Sequence, residues 1–180
     1  MNMLESSSND LTVDWPAELY QRLKSADIRQ VAYVPDAGHS RLIDFVRGDP
    51  DFSASVLTTE EEGIGLLSGA WLGGQRGVLL MQSSGVGNCI NMLSMVQECR
   101  FPLLAIVTMR GEWGEFNPWQ VPMGQGVSAA LGNAGVIVQH VDAAADIADT
   151  VAAASELAFN AFRAVAVSIS QRVIGTKIWK

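Results

Sequence analysis

Apolar residues along this chain fall into two patterns that alternate: short unbroken runs, and longer stretches with helical spacing. The runs "QVAYV", "ASVLTT", "GVLLMQ", "LLAIVT", "GVIVQHV" and "AVAVSIS" are rich in Val, Ile and Leu and read as strands. They are continuous rather than alternating, as strands covered on both faces are. Between them, "RLIDFVR", "EEEGIGLLSGAWLGG", "NCINMLSMVQEC" and an alanine-rich segment over about 143–162 read as helices, the third as one unbroken element. Another helix is expected from a first turn holding Pro16 to about Ser25. A Gly/Pro/Trp-rich loop is expected from Met109 to about Gln125, followed by a short helix. Residues 1–13 read as a flexible leader and 14–180 as a single domain.

Alternation of this kind predicts an α/β fold: a mostly parallel sheet of about six strands with helices on both faces. In such sheets ligands gather beyond the carboxyl ends of the strands. The unusual loops all fall there: "PDAGHS", "TEEEG", "QSSGVGN" and "MRGEWGEFNPWQVPMGQG".

Composition narrows the classes. The 180 residues carry a net charge of −7, and the twelve basic residues are scattered, which argues against a nucleic-acid partner. With 48% hydrophobic and 17% charged residues, the chain has enough apolar material for a packed core. No apolar run approaches the roughly 20 residues of a membrane span, and the polar, acidic start lacks the pattern of a signal peptide. A cytoplasmic protein is expected. Cys89 and Cys99, about 15 Å apart on one helix, cannot bridge each other and are expected to be reduced core thiols.

Glu60, Glu61 and Glu62 open a helix, where acids favour the positive end of the dipole. Gly63, Gly65 and Gly69 follow, although each glycine costs a helix interior roughly 0.8–1 kcal/mol relative to alanine. Gly65 and Gly69 share a face, so close packing is expected against it. "SSGVGN" lacks the third glycine of a dinucleotide fingerprint, the Gly-Lys-Ser/Thr of a phosphate loop and the G-x-S-x-G of a hydrolase elbow. A tight strand-to-helix turn explains it equally well. His39 and His140 are too few for a zinc site. Arg110, ending an apolar strand, is either an anion clamp or the partner of Glu112 or Glu115.

Taken together, "TTEEEGIGLLSGAWLGG", "VLLMQSSGVGNCINML" and "RGEWGEFNPWQVPMGQ" resemble the pyrimidine-binding domain of thiamine-diphosphate enzymes. The likeness is greatest to sulfopyruvate decarboxylase alpha subunits and phosphonopyruvate decarboxylases. It spans most of the chain, from "YVPDAG" to the final strand. The resemblance implies a 2-oxo acid decarboxylase in which a glutamate hydrogen-bonds the aminopyrimidine of thiamine diphosphate and assists proton removal from the thiazolium carbon. Counting back from Gly69 makes that residue Glu60, with Glu61 and Glu62 as helix-start acids and a shift of one position left open. It further implies cofactor contacts at Ser84, Gly85, Gly87 and Asn88, and a role in proton transfer for His39. Substrate contacts fall at Asp36, Arg110, Gln120 and Gln125. No metal ligand is assigned to this chain. The Gly-Asp-Gly motif that holds magnesium and diphosphate in the family is absent, the nearest string being Gly48-Asp49-Pro50. The chain is therefore expected to need a beta subunit bearing that domain, in an α2β2 or larger assembly. The expected reaction takes 3-sulfopyruvate to sulfoacetaldehyde and carbon dioxide. Phosphonopyruvate or another 2-oxo acid, carboligation, and a non-catalytic metabolite-binding module stand as alternatives.

Overall fold

The computed structural model describes residues 13–176. All of the expected leader but Val13 lies outside them. The elements in order are α1 (Trp15–Ser25), β1 (Ile28–Tyr33), α2 (Ser40–Gly48), β2 (Ser53–Val56), α3 (Glu60–Leu72), β3 (Arg76–Gln82), α4 (Val86–Cys89), α5 (Leu93–Cys99), β4 (Leu103–Thr108), α6 (Val121–Asn133), β5 (Ile137–Val141), α7 (Ile147–Ala161), β6 (Ala164–Ile169) and α8 (Gln171–Ile174). The six strands form one sheet in the order β2-β1-β3-β4-β6-β5. Every neighbouring pair is parallel.

Two apolar layers follow from the period of two along the strands. Val78 and Leu80 of β3, Leu104 and Ile106 of β4, and Val165 and Val167 of β6 face α1, α2 and α7. Leu79 and Met81, Ala105 and Val107, and Ala164 and Ala166 face α3 to α6. Each fully buried leucine or isoleucine in these layers contributes on the order of 1.5–3 kcal/mol.

Four expectations are corrected. The edge strands β2 and β5 are only partly covered, leaving Val56 63% and Ile137 41% exposed, because each has a single neighbour in the sheet. The helix after β3 is divided: a 3₁₀ turn at Ser83–Gly85 leads into α4, and α5 starts anew at Leu93. Cys99 is exposed, so of the two thiols only Cys89 belongs to the core. Burial, then the charges of Glu60 and Glu61, push the Cys89 thiol up to about 12. Finally, α6 begins at Val121 rather than near Gln125, since Pro122 suits a first helical turn, which has no use for its missing N–H.

Within the chain itself, the glycines of α3 differ in how closely they pack. A Cβ on Gly63 would meet Leu79 Cδ1 at 2.6 Å and Leu57 Cδ1 at 2.9 Å. At Gly65 the nearest atom is Met92 Cε at 3.7 Å, and at Gly69 nothing lies within 4 Å. Gly63 is the glycine that lets α3 lie on the sheet.

Candidate active site at the carboxyl edge of the sheet

The sheet order places β1 beside β3, so the connections after these strands leave in different directions and open a crevice at their carboxyl ends. Loops after β1, β2, β3 and β4 meet around it.

Glu60 comes from the β2–α3 connection. It is the first residue of α3, with Thr59 at the N-cap. Of the three glutamates it alone is buried, at 7% exposure. Glu62 turns back to accept from the Thr58 N–H at 2.9 Å, and Glu61 accepts from Thr59 Oγ1 at 2.5 Å, a bond that lowers its pKa. Both act as helix-start acids.

The Glu60 side chain lies across the turn after β3. Its Oε2 accepts from Asn88 Nδ2 at 2.8 Å. A Cβ on Gly85 would come within 2.2 Å of Glu60 Cδ, so this glycine is what gives the carboxylate its place. Oε1 has no hydrogen-bond partner among the described residues. A carboxylate held by one oxygen, with the other unengaged, suits an acceptor for a ring N–H.

A second cluster forms around Asp36. Its Oδ1 accepts from Gln82 Nε2 at 3.0 Å, and its Oδ2 from Thr108 Oγ1 at 2.5 Å and the Gly38 N–H at 3.1 Å. Ser84 Oγ donates to Gln82 Oε1 at 2.9 Å, which extends the chain of bonds to the loop after β3. His39 is completely buried and neither ring nitrogen has a hydrogen-bond partner. Its Nδ1 is 3.6 Å from Asp36 Oδ2, close enough for attraction if the ring were charged. Burial outweighs that attraction and pushes the imidazole down to about 4, so His39 is neutral near pH 7.

Arg110 resolves toward the ion pair. Its Nε and Nη2 donate to Glu115 at 2.7 and 2.6 Å. Glu115 also accepts from the Gly111 and Asn117 N–H groups and from Gln171 Nε2, and these donors, led by Arg110, hold its carboxyl near 2. Nη1 of Arg110 donates to nothing among the described residues. Arg110 and Asp36 both line a cavity of about 110 Å³, closed by Thr108, Ile174 and Thr176. The loops after β3 and β4 are joined through Ser83 Oγ, which accepts from the Arg110 N–H at 3.0 Å and is 3.2 Å from its carbonyl oxygen.

The structure thus gathers Glu60, Gly85 and Asn88 into one group, and Asp36, His39, Ser84 and Arg110 around the other. Gly87 packs near Met123 Sδ, to which a Cβ would come within 3.3 Å. Gln120 has a buried Oε1 without a partner, while Gln125 is engaged with the Gly111 carbonyl at 2.9 Å. Sequence reasoning missed Gln82, Thr108 and Gln171, whereas Glu115 was one of the two partners it offered Arg110. The first two carried a signal, being polar residues that close apolar strands.

Fold and edge together define a parallel α/β domain that presents a buried glutamate at the carboxyl ends of its strands. A structure of 2-oxoglutarate:ferredoxin oxidoreductase from Magnetococcus marinus shares the fold, with a TM-score of 0.74 over 89% of this chain and 29% of that one at 15% identity. No protein-family model matches. Sulfopyruvate decarboxylase subunit alpha of Methanothermobacter thermautotrophicus is 31% identical over 158 residues, 87% of this chain and 96% of that protein. Its counterpart in Methanococcus maripaludis is 39% identical over 108 residues, 59% of this chain and 65% of that protein. The chain belongs to the family of sulfopyruvate decarboxylase alpha subunits.

Proposed function

We propose that this chain is the alpha subunit of a thiamine-diphosphate-dependent decarboxylase that converts 3-sulfopyruvate to sulfoacetaldehyde and carbon dioxide. The observation that carries the reading is the buried Glu60 carboxylate, anchored by Asn88 through Oε2 and accommodated by Gly85, with Oε1 unengaged. These residues fit the pyrimidine end of the cofactor: Glu60 Oε1 would accept from the ring, and the Ser84–Asn88 turn would support it. Bound thiamine diphosphate supplies the electron sink for the pair left when carbon dioxide departs.

The chain's own residues orient and exchange protons. Asp36, fixed through both oxygens, and neutral His39 beside it form a candidate proton-handling pair. The unengaged Nη1 of Arg110, in the same small cavity as Asp36, is the candidate sulfonate donor. Gln120, with its unpartnered buried oxygen, stands near this loop as a further polar group, whereas Gln125 holds the loop itself. In this reading magnesium and the diphosphate are bound by a beta subunit in an α2β2 or larger cytoplasmic complex, and residues 14–180 act as one domain.

The test is co-expression with the beta subunit and assay of carbon dioxide release from sulfopyruvate, with phosphonopyruvate as the comparison substrate. Glu60→Gln should lower turnover by about 10²-fold or more with assembly intact. Gly85→Ala, whose Cβ displaces the carboxylate, should follow it in direction. Unchanged turnover in assembled Glu60→Gln complexes would leave a non-catalytic metabolite-binding module as the better reading.

A further inference from the structure

A cleft of about 800 Å³, several times larger than the cavity at Asp36, lies at the opposite end of the sheet. Val96, Gln97, Arg100, Phe101, Phe162 and Arg163 line it, from the turns that lead into β4 and β6. Nothing in the decarboxylase reading uses it.

Its charge sets it apart. Among the described residues, five cations are paired with carboxylates: Arg22 with Asp149, Lys24 with Asp49 and Asp51, Arg29 with Asp27, Arg41 with Asp14, and Arg110 with Glu115. Arg76 bonds to the Ala26 carbonyl and Asn160, and Arg172 lies over the Trp113 ring. The guanidiniums of Arg47, Arg100 and Arg163 have no such partner among the described residues. Two of these three open on the same cleft, and no carboxylate lines it, in a chain of net charge −7.

Arginines at helix ends are commonly explained as partners for the last carbonyls. Here backbone donors already reach them: the Arg100 N–H to Gln97 at 3.3 Å, the Phe101 N–H to Val96 at 3.1 Å, and the Arg163 N–H to Ala158 at 3.1 Å. Arg100 also stands in left-handed backbone at φ 57°, at a helix end where glycine is the relaxed choice. The third turn of the cleft uses glycine at such a position, Gly135 at φ 77°. A charged side chain is thus kept where the backbone favours none.

We propose that this cleft is a second ligand site, for a small phosphate ester. Arg100 and Arg163 bind the phosphate, since planar guanidinium forks match its oxygens. Val96, Phe101 and Phe162 cover the apolar body of the ester, and the volume is in the range of metabolite pockets.

The test is calorimetric titration of the purified full chain with phenyl phosphate and with inorganic phosphate. Phenyl phosphate should bind saturably and at least about fivefold more tightly than inorganic phosphate, because only the ester reaches the apolar wall. Arg100→Gln and Arg163→Gln should each weaken it about tenfold or more, and Arg47→Gln, an equally unpaired arginine elsewhere, should not. Arg100→Gly should bind as weakly as Arg100→Gln yet melt at a higher temperature, which separates loss of the ligand from loss of the fold. Non-saturable heats, equal affinity for the two anions, or full binding in both cleft variants would overturn the proposal.

Discussion

Asp36 has both carboxylate oxygens occupied by donors from three different segments, and His39 is buried against it with neither ring nitrogen hydrogen-bonded. That arrangement has a consequence for stability. Burial holds His39 at about 4 in the folded chain, against 6.5 for a free imidazole. Between those values the unfolded chain binds a proton that the folded chain refuses. The contribution of His39 is therefore complete above pH 6.5 and falls away as pH drops toward 4. Urea unfolding at pH 7 and pH 5 should show a loss of stability on acidification that is smaller in His39→Gln; an equal loss in the variant would refute the assignment. Sequence alone marked Asp36 and His39 as residues of an edge loop. It could not mark Thr108 or Gln82 as their neighbours, because they lie 72 and 46 residues from Asp36 along the chain and meet it only once β1, β3 and β4 are side by side.

Helix α3 shows how far pattern reaches at the level of an element. Its existence, its acidic start and the cost of its glycines were legible, but its orientation was not, because apolar or small residues occupy most of its circumference after Glu62. Which glycine packs is decided by Leu57 and Leu79, supplied by the sheet. Gly63→Ala should destabilise the chain by about 1–3 kcal/mol, the usual cost of overpacking. Gly69→Ala, with nothing within 4 Å of its added Cβ, should stabilise the isolated chain by about 1 kcal/mol through helix propensity. Urea denaturation midpoints would report the pair, and the reverse order would show that the packing face had been misread. The division between α4 and α5 was similarly hidden, since helical spacing continues through a segment that the structure interrupts.

At the scale of the molecule, the alternation of apolar runs and helical stretches was sufficient to anticipate the parallel sheet, because each unbroken run needs cover on two faces and each helix supplies one. The distribution of chemistry over the sheet follows from the same topology: Glu60 and Asp36 at the carboxyl edge, Arg100 and Arg163 at the other end. Under the proposed function the carboxyl edge offers the cofactor a carboxylate acceptor and a supporting turn, both suited to its pyrimidine end, whereas a diphosphate with magnesium needs a cage of oxygen ligands made of carboxylates, phosphate oxygens and waters. Under the proposed function that cage is on the beta subunit, and most of the binding free energy resides there. Thiamine diphosphate with magnesium should then shift the melting temperature of the isolated chain by less than about 1 °C and that of the alpha–beta complex by several degrees, since a ligand stabilises by the logarithm of one plus the ratio of its free concentration to its Kd. A shift of several degrees in the isolated chain would mean that this chain holds the diphosphate itself, and the division of the site between two subunits would have to be abandoned.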